Sequence, residues 1–360
     1  MAEQALDALL VTSLANVLYL TNFDGSAAIA VVTADRVLFI TDFRYLTTMS
    51  DSRGSPYGCP GLEVITVEAS YDETLAATLA TTASRRVGFE AAHVSVGRHS
   101  WLQATIGRSD RAPELVSTAG IVERARVRKD RYELEILREA GGRLSAVAEG
   151  LFTAIRSGMT ERELAMTIDW RIREAGFERP AFETIVASGP QAALPHARPS
   201  GRTMTEGDLV VLDFGGVYDS YCVDLTRTIS IGPASKRARD VHAAVLEAHA
   251  RAIAAVRPGA SRYEIDAAAR MSLDRAGMGE AFGHGTGHGL GVEVHEDPRI
   301  VRRRADADTR DEAIMPGMVF TIEPGAYFPG WGGVRIEDDV VVTDTGAELL
   351  THVTTDLLEL

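Results

Sequence analysis

Two apolar runs, Leu209 to Phe214 and Tyr221 to Ile231, follow one another across the polar segment Gly215 to Ser220, and each carries one aspartate, Asp213 and Asp224, between apolar neighbours. Runs of this kind around a polar turn predict a β-hairpin. Strand side chains alternate between faces, so the spacing lets the two carboxylates sit opposite each other on one face. Like charges held there repel. Flanked by Leu212, Phe214, Val223 and Leu225, they would also suffer a desolvation penalty that only a cation or a proton offsets. Taken alone, the pair reads as two solvent-facing side chains. A functional reading needs further polar groups folded onto the same face.

The downstream sequence supplies them. Gly283-His284-Gly285-Thr286-Gly287-His288-Gly289-Leu290-Gly291 sets two imidazoles among glycines that permit close backbone approach. It lacks the Gly-x-Gly-x-x-Gly spacing, and no apolar helix follows to provide a dipole, so it is not a phosphate-cradling loop. Two more carboxylates occur in apolar strand contexts, Glu323 within Phe320 to Gly325 and Glu337 within Val334 to Asp338. The set is then four carboxylates and at least one histidine.

Composition narrows the surroundings of such a set. A chain of 360 residues, 45% apolar and 24% charged, predicts a globular protein of two domains. With 51 acidic against 37 basic residues, the net charge of -14 argues against nucleic acid or an anionic membrane as the main partner. The only lysines are Lys129 and Lys236, and neither follows a glycine-rich run, which excludes P-loop chemistry and leaves little room for a Schiff base. Two cysteines, Cys59 and Cys222, make no disulfide framework and no Cys-x-x-Cys pair, which points to a reducing compartment and a cytoplasmic protein. The start, Met1 to Leu20, lacks the features of a signal peptide, and no apolar run reaches about 18 residues, so neither secretion nor membrane spanning is expected.

In the first 120 or so residues, strand-like runs at Ala8 to Val11, Ala27 to Val32, Val37 to Ile40, Val64 to Val67 and Val87 to Phe89 alternate with helical spacing at Tyr71 to Ala83 and Ser100 to Ile106. This predicts an α/β domain with a mixed sheet over residues 1–123. The segment Ile121 to Lys129 is polar and charged, and a second domain, 124–360, opens with an amphipathic helix from Asp130 to Phe152. Capping boxes at Thr160 with Glu163 and Ser261 with Glu264 predict further helix starts, and Ala234 to Val256 is a third helix.

In order along the chain, Leu-Asp-Phe-Gly at Asp213, Asp-Leu-Thr-Arg-Thr at Asp224, Gly-Thr-Gly-His-Gly at His288, Thr-Ile-Glu-Pro-Gly at Glu323 and Arg-Ile-Glu-Asp at Glu337 resemble the pita-bread metallopeptidase family of prolidases, aminopeptidase P and methionine aminopeptidases. Leu18 to Ser26 and Thr41 to Tyr45 resemble that family's creatinase-type N-terminal domain, although relatives usually carry a further helical segment before the strand that here begins at Asp7. The resemblance implies an α/β (α+β) chain: a creatinase-type N-terminal α/β domain and a C-terminal pita-bread catalytic domain. It implies two divalent metal ions, with Asp213 bidentate on one, Asp224 and Glu337 bridging, and His288 with Glu323 on the second. It also implies a homodimer and a short proline-containing peptide as substrate. Four oxygen donors to one imidazole form a hard set that favours manganese, with Co²⁺, Fe²⁺ or Zn²⁺ as substitutes. Two ions about 3.5 to 4 Å apart lower the pKa of a shared water and clamp a tetrahedral intermediate, so no Ser or Cys nucleophile is required.

The resemblance assigns further roles. His196 in Leu194 to Ala197 and His295 in Glu293 to Glu296 match positions that touch substrate and stabilise an oxyanion, and His284 lines the pocket. Glu323 doubles as the proton shuttle. Arg335, two residues from Glu337, is expected to orient that carboxylate or a substrate group, and Thr226 is expected to act near Asp224. Cys222 reads as a small core residue. The arginines of the segment 299–310, Arg299 first, are either a solvated charged loop or the source of a bidentate partner for the carboxylate of a dipeptide's proline. The expected activity is Xaa-Pro dipeptide hydrolysis. The rivals are aminopeptidase P action on longer peptides, a non-peptide amide hydrolase or lyase, and an inactive binding module, which would have no reason to keep five costly buried polar groups.

Overall fold

The computed structural model describes residues 1–108, 112–303 and 313–360, and the chain divides into two compact units, Met1–Arg126 and Val127–Leu360. The sequence reading set the division at 123/124.

The first unit has strands β1 (Ala8–Val11), β2 (Ile29–Val32), β3 (Val37–Thr41), β4 (Leu62–Thr66), β5 (Arg86–Glu90) and β6 (Glu114–Thr118), and helices α1 (Leu14–Thr21), α2 (Leu46–Ser52), α3 (Tyr71–Thr81), α4 (Val96–Ile106) and α5 (Ile121–Arg126). The sheet order is β4-β3-β2-β1-β5-β6. It is mixed, antiparallel at β1/β2 and β2/β3 and parallel elsewhere. The continuous apolar run of β1 follows from burial on both faces: Ala8 and Leu10 meet α3 and α4 through Leu75, Leu79 and Leu102, while Leu9 and Val11 meet Val17, Met49 and Val122. Periodicity did not reveal α1, α2, β6 or α5. The segment read as a charged connection contains α5, because its charges are paired inside. Arg126, 2% exposed, donates to Asn16 Oδ1 at 2.8 Å. Asn16 in turn donates to Glu90 at 2.6 Å and Glu123 at 2.8 Å.

The second unit repeats a helix-then-strand order. First come α6 (Arg131–Phe152), α7 (Glu161–Glu174), β7 (Arg179–Pro180), β8 (Ile185–Ser188), β9 (Leu209–Tyr218) and β10 (Tyr221–Ser230). Then come α8 (Lys236–Ala255), α9 (Arg262–Arg275), β11 (Gly287–Gly289), β12 (Glu296–Ile300), β13 (Val319–Ile322), β14 (Gly325–Phe328), β15 (Gly332–Arg335), β16 (Asp338–Val342) and β17 (Ala347–Leu349). Reciprocal capping boxes start α6 at Asp130, α7 at Thr160 and α9 at Ser261. Helices α6 and α7 pack Leu137, Leu144, Leu164 and Ile168 on Val186, Leu212, Phe214 and Leu225. Helices α8 and α9 pack Val245, Ala248, Ile265 and Ala269 on Phe320, Ile322, Val334 and Val340. A second sheet runs β12-β11-β13-β16-β17, and β14 with β15 forms a ribbon.

The hairpin is longer and its turn tighter than the spacing predicted. Only Asp219 and Ser220 turn, with φ of 44° and 68°, as a two-residue hairpin loop requires. Gly215 lies inside β9 because a Cβ there would meet Val223 O at 2.2 Å. The register pairs Asp213 with Thr226 and Asp224 with Gly215. The two aspartates therefore share a face as diagonal neighbours, not directly opposite as the spacing suggested. On the outer edge of β10, Ser230 N donates to Leu358 O at 2.8 Å and Leu360 N donates to Ser230 O at 2.9 Å, so Val353 to Leu360 lies alongside the hairpin. Among the described residues no helix is long and apolar enough to cross a membrane.

Candidate active site

The strands of the second unit converge on a cavity of about 530 Å³. Asp213 comes from β9, Asp224 from β10 and His288 from β11. Glu323 follows β13, and Glu337 stands between β15 and β16. All five line the cavity, as do His196, His284, His295, Arg299 and Arg335.

Three of these groups are gathered most tightly: ligand atoms of Asp224, His288 and Glu337 all lie within 4.8 Å of one another. His288 Nε2 is 3.9 Å from Asp224 Oδ2 and 3.9 Å from Glu323 Oε1. Its Nδ1 faces Gly289 O at 3.2 Å, so a proton on Nδ1 leaves the Nε2 lone pair aimed at the carboxylates. Asp213 Oδ1 and Asp224 Oδ1 are buried without a hydrogen-bond partner. Orphaned carboxylate oxygens are costly unless a cation or proton takes them up.

The electrostatics agree. Burial raises the Asp224 carboxyl well above its ordinary range, and Glu337 and Asp213 push it further. Burial and Glu337 do the same to Glu323. Glu337 is pushed up to about 7 by burial and Asp213. Burial also raises Asp213, against the opposing pull of Arg335. Burial lowers His288 to about 3, aided by His295, and lowers His284 to about 4, aided by Arg335. The cluster thus crowds buried carboxyls that, without a cation, tend to keep protons beside neutral imidazoles, a donor set of hard oxygens and nitrogen that fits divalent metal.

Arg335 is placed differently from the expectation. It forms an ion pair with Asp213 and donates to Tyr327 Oη at 3.0 Å and to Thr226 Oγ1 at 3.2 Å, and its charge reaches Glu337 without a hydrogen bond to it. β15 ends at Arg335 and β16 begins at Asp338, so the alternation assumed between Arg335 and Glu337 is broken there. Thr226 takes over instead and donates to Glu337 Oε2 at 2.5 Å. Behind the site, Asp224 N donates to Asp339 Oδ2 at 2.9 Å. His295 meets His288 edge-on, with ring centroids 4.2 Å apart. Arg299 stands opposite His288 in the β11/β12 register. Arg303 lies over Tyr263 at 5.8 Å, while Arg304, Arg310 and the acids Asp306, Asp308, Asp311 and Glu312 lie outside the described residues. Cys222 is a buried core thiol, pushed up to about 12 by burial.

Sequence reasoning missed Tyr327. Its hydroxyl joins His284 Nε2 at 2.8 Å to Arg335, and its only sequence signal was an aromatic residue in the apolar run after Glu323-Pro-Gly. It also missed the brace under His284, in which Asp266 accepts from Thr286 Oγ1 at 2.9 Å and pairs with Arg270 at 2.7 Å.

Residues 135–344 match the model of metallopeptidase family M24, and residues 1–128 match the creatinase/prolidase N-terminal domain. The chain is 41% identical over 239 residues to an Xaa-Pro dipeptidase of Pyrococcus furiosus, covering 66% of this chain and 67% of that one. Among solved structures, an Xaa-Pro dipeptidase from Bacillus anthracis superposes with a TM-score of 0.92 at 36% identity, covering 100% of this chain and 96% of that one. An X-Pro aminopeptidase from Thermotoga maritima superposes with a TM-score of 0.88 at 33% identity, covering 99% and 98%.

Proposed function

Because the chain belongs to metallopeptidase family M24 and carries the creatinase/prolidase N-terminal domain, we propose that it hydrolyses the Xaa-Pro bond of dipeptides with two divalent ions held by Asp213, Asp224, His288, Glu323 and Glu337. The observation that carries this reading is the convergence of these five side chains on one cavity, with buried oxygens of Asp213 and Asp224 left unpartnered. When bound, the ions supply Lewis acidity that acidifies water and polarises the scissile carbonyl. Four carboxylates with one imidazole favour manganese.

The chain's own residues do the rest. Glu323, with its carboxyl raised by burial and by Glu337, accepts the proton from the attacking water on a carboxylate oxygen and returns it to the leaving proline nitrogen. His196 and His295 line the same cavity and donate to the developing oxyanion. Burial and Arg299 lower the basicity of His295, which keeps it a neutral donor. Arg335 fixes Asp213 through their ion pair and is itself steadied by Tyr327. Arg299 receives the free carboxylate of the proline residue through its planar fork.

Support for the dipeptide reading comes from the two Xaa-Pro dipeptidases, while the X-Pro aminopeptidase from Thermotoga maritima favours a second reading on longer Xaa-Pro peptides. The deciding experiment is metal analysis joined to turnover of Gly-Pro, Ala-Pro and Xaa-Pro-Xaa peptides. Turnover of dipeptides with two ions per chain is expected. Turnover restricted to the longer peptides moves the reading to aminopeptidase P, and no turnover of any of them overturns it. A homodimer and a cytoplasmic location complete the proposal, the latter supported by two free cysteines. Light scattering tests the former and fractionation the latter.

A further inference from the structure

Lys236, one of the two lysines, is exposed and pairs with Asp240 one turn along α8. Lys129 is the opposite case. Its Nζ lies 2.6 Å from Glu296 Oε1, with the two side chains only 1% and 8% exposed. Burying an ion pair costs desolvation that mutual attraction often fails to repay, so a buried pair beside the cavity calls for a role other than stability.

Glu296 directly follows His295. The short segment that carries this histidine is anchored at both ends. At its start, Gly291 O accepts from Cys222 N at 2.7 Å, which ties the segment to β10, the strand of Asp224. At its end, Lys129 grips Glu296 where β12 begins. The anchors cross at one point: a Cβ on Gly291 would lie 2.6 Å from Glu296 Oε1 and 3.0 Å from Lys129 Cε. The missing Cβ at Gly291 leaves room for the carboxylate and the lysine stem to meet over that backbone. Lys129 is itself fixed, since its N donates to Gly317 O at 2.8 Å. Between the anchors, His295 reaches His288 at a centroid distance of 4.2 Å.

We propose that Lys129, through its buried ion pair with Glu296, is a positioning residue for the hydrolysis, holding the segment Gly291 to Glu296 so that His295 meets the reacting carbonyl. This rests on the oxyanion role given to His295 above. A displacement of about 1 Å at a catalytic donor costs on the order of 10² in rate, so releasing the tether is expressed in turnover while the ligand cluster, held by other strands, keeps its metal.

The test compares Lys129→Met and Glu296→Gln, each alone and in a His295→Ala background, in metal-loaded protein acting on Ala-Pro. Alone, each variant is expected to lower kcat about 10- to 100-fold, with KM within about twofold of the parent and metal content unchanged. In the His295→Ala background neither is expected to lower kcat further, because the donor being positioned is gone. Should Lys129→Met fail to fold, Glu296→Gln carries the same comparison. An equal loss in both backgrounds, a loss of metal in step with turnover, or an undiminished kcat overturns the tether. If His295→Ala itself leaves kcat unchanged, the reading of His295 fails and the tether falls with it, whereas a slow His295→Ala beside fully active tether variants sinks the tether alone.

Discussion

Glu337 and Asp338 are neighbours in sequence, 2% and 1% exposed, and their surroundings are opposite. Asp338 accepts from Arg227 at 2.7 Å and Thr351 at 2.7 Å, and stands 3.2 Å from His249 Nε2. Burial works to raise its carboxyl, but the contacts with His249 and Arg227 outweigh it and hold the group below the usual range. Burial and Asp213 carry Glu337 up to about 7, against the pull of Arg335 and the Thr226 hydroxyl. One side of this short stretch is matched by Arg227 and the Thr351 hydroxyl, with Asp338 Oδ2 and His249 Nε2 facing each other at 3.2 Å without a hydrogen bond. The other is left unfinished by the protein, and the deficit is what a cation completes.

The largest effect expected from this contrast is on the unfinished side. Asp213→Asn, His288→Ala and Glu337→Gln should each lose bound metal and lower kcat/KM by about 10³ or more, since a missing ligand leaves the remaining groups unable to hold the ions. Metal counting beside turnover checks this, and a variant with full metal and near-normal rate breaks the contrast. On the matched side, Arg227→Met or Asp338→Asn should cost about 3 to 5 kcal/mol of folding stability by stranding a buried charge or donor, read from denaturant unfolding.

The contrast sharpens in metal-stripped protein. The folded-state value of Glu337 is raised from 4.5 to about 7, so the native state binds the extra proton and loses stability as pH rises from about 4.5 to about 7. Glu337→Gln should therefore stabilise the stripped chain at pH 8 by on the order of 3 kcal/mol. Asp338, lowered in the native state, behaves in reverse and loses its contribution as pH falls below 3.8. Unfolding curves at pH 4 and pH 8 that move Glu337→Gln and Asp338→Asn in the same direction would remove the distinction. Smaller still, His196→Ala and His295→Ala should keep both metals and lose about 10² in kcat. Smallest is Arg299→Ala, for which KM for Xaa-Pro dipeptides should rise about 10-fold while Xaa-Pro-Xaa peptides are spared. Equal effects on both lengths would favour the aminopeptidase reading.

The clustered side chains were legible as candidates because Asp213 and Asp224 interrupt apolar strands and Glu323 and Glu337 adjoin apolar strand sequence, while His288 stands among glycines. Helix starts were legible because a capping box is a contact between residues three apart. What stayed hidden depends on partners distant in sequence. Arg126 lay in a segment legible only as polar and charged, and its partner Asn16 lies 110 residues away; Lys129 likewise finds Glu296 167 residues on. The diagonal register of Asp213 and Asp224 was hidden for another reason: glycines that normally mark turns were strand residues accommodating close neighbours, Val223 among them.

Arg227 donates not only to Asp338 but to Val353 O at 2.9 Å and Thr354 O at 2.8 Å, while its Nη1 holds Glu337 O at 2.6 Å. The carbonyl of Glu337 is thus braced by a segment made long after the Asp213 and Asp224 hairpin. At a ribosomal pace of about 5 to 20 residues per second, roughly 7 to 30 s separate Asp213 from Leu360. During that interval the nascent hairpin exposes an unpaired outer edge and two aspartates that have nothing to coordinate with. Assembly of the centre is therefore a late event in synthesis, and a chain stopped before Val353 carries its acidic residues without the two carbonyls that steady Arg227 beside Glu337.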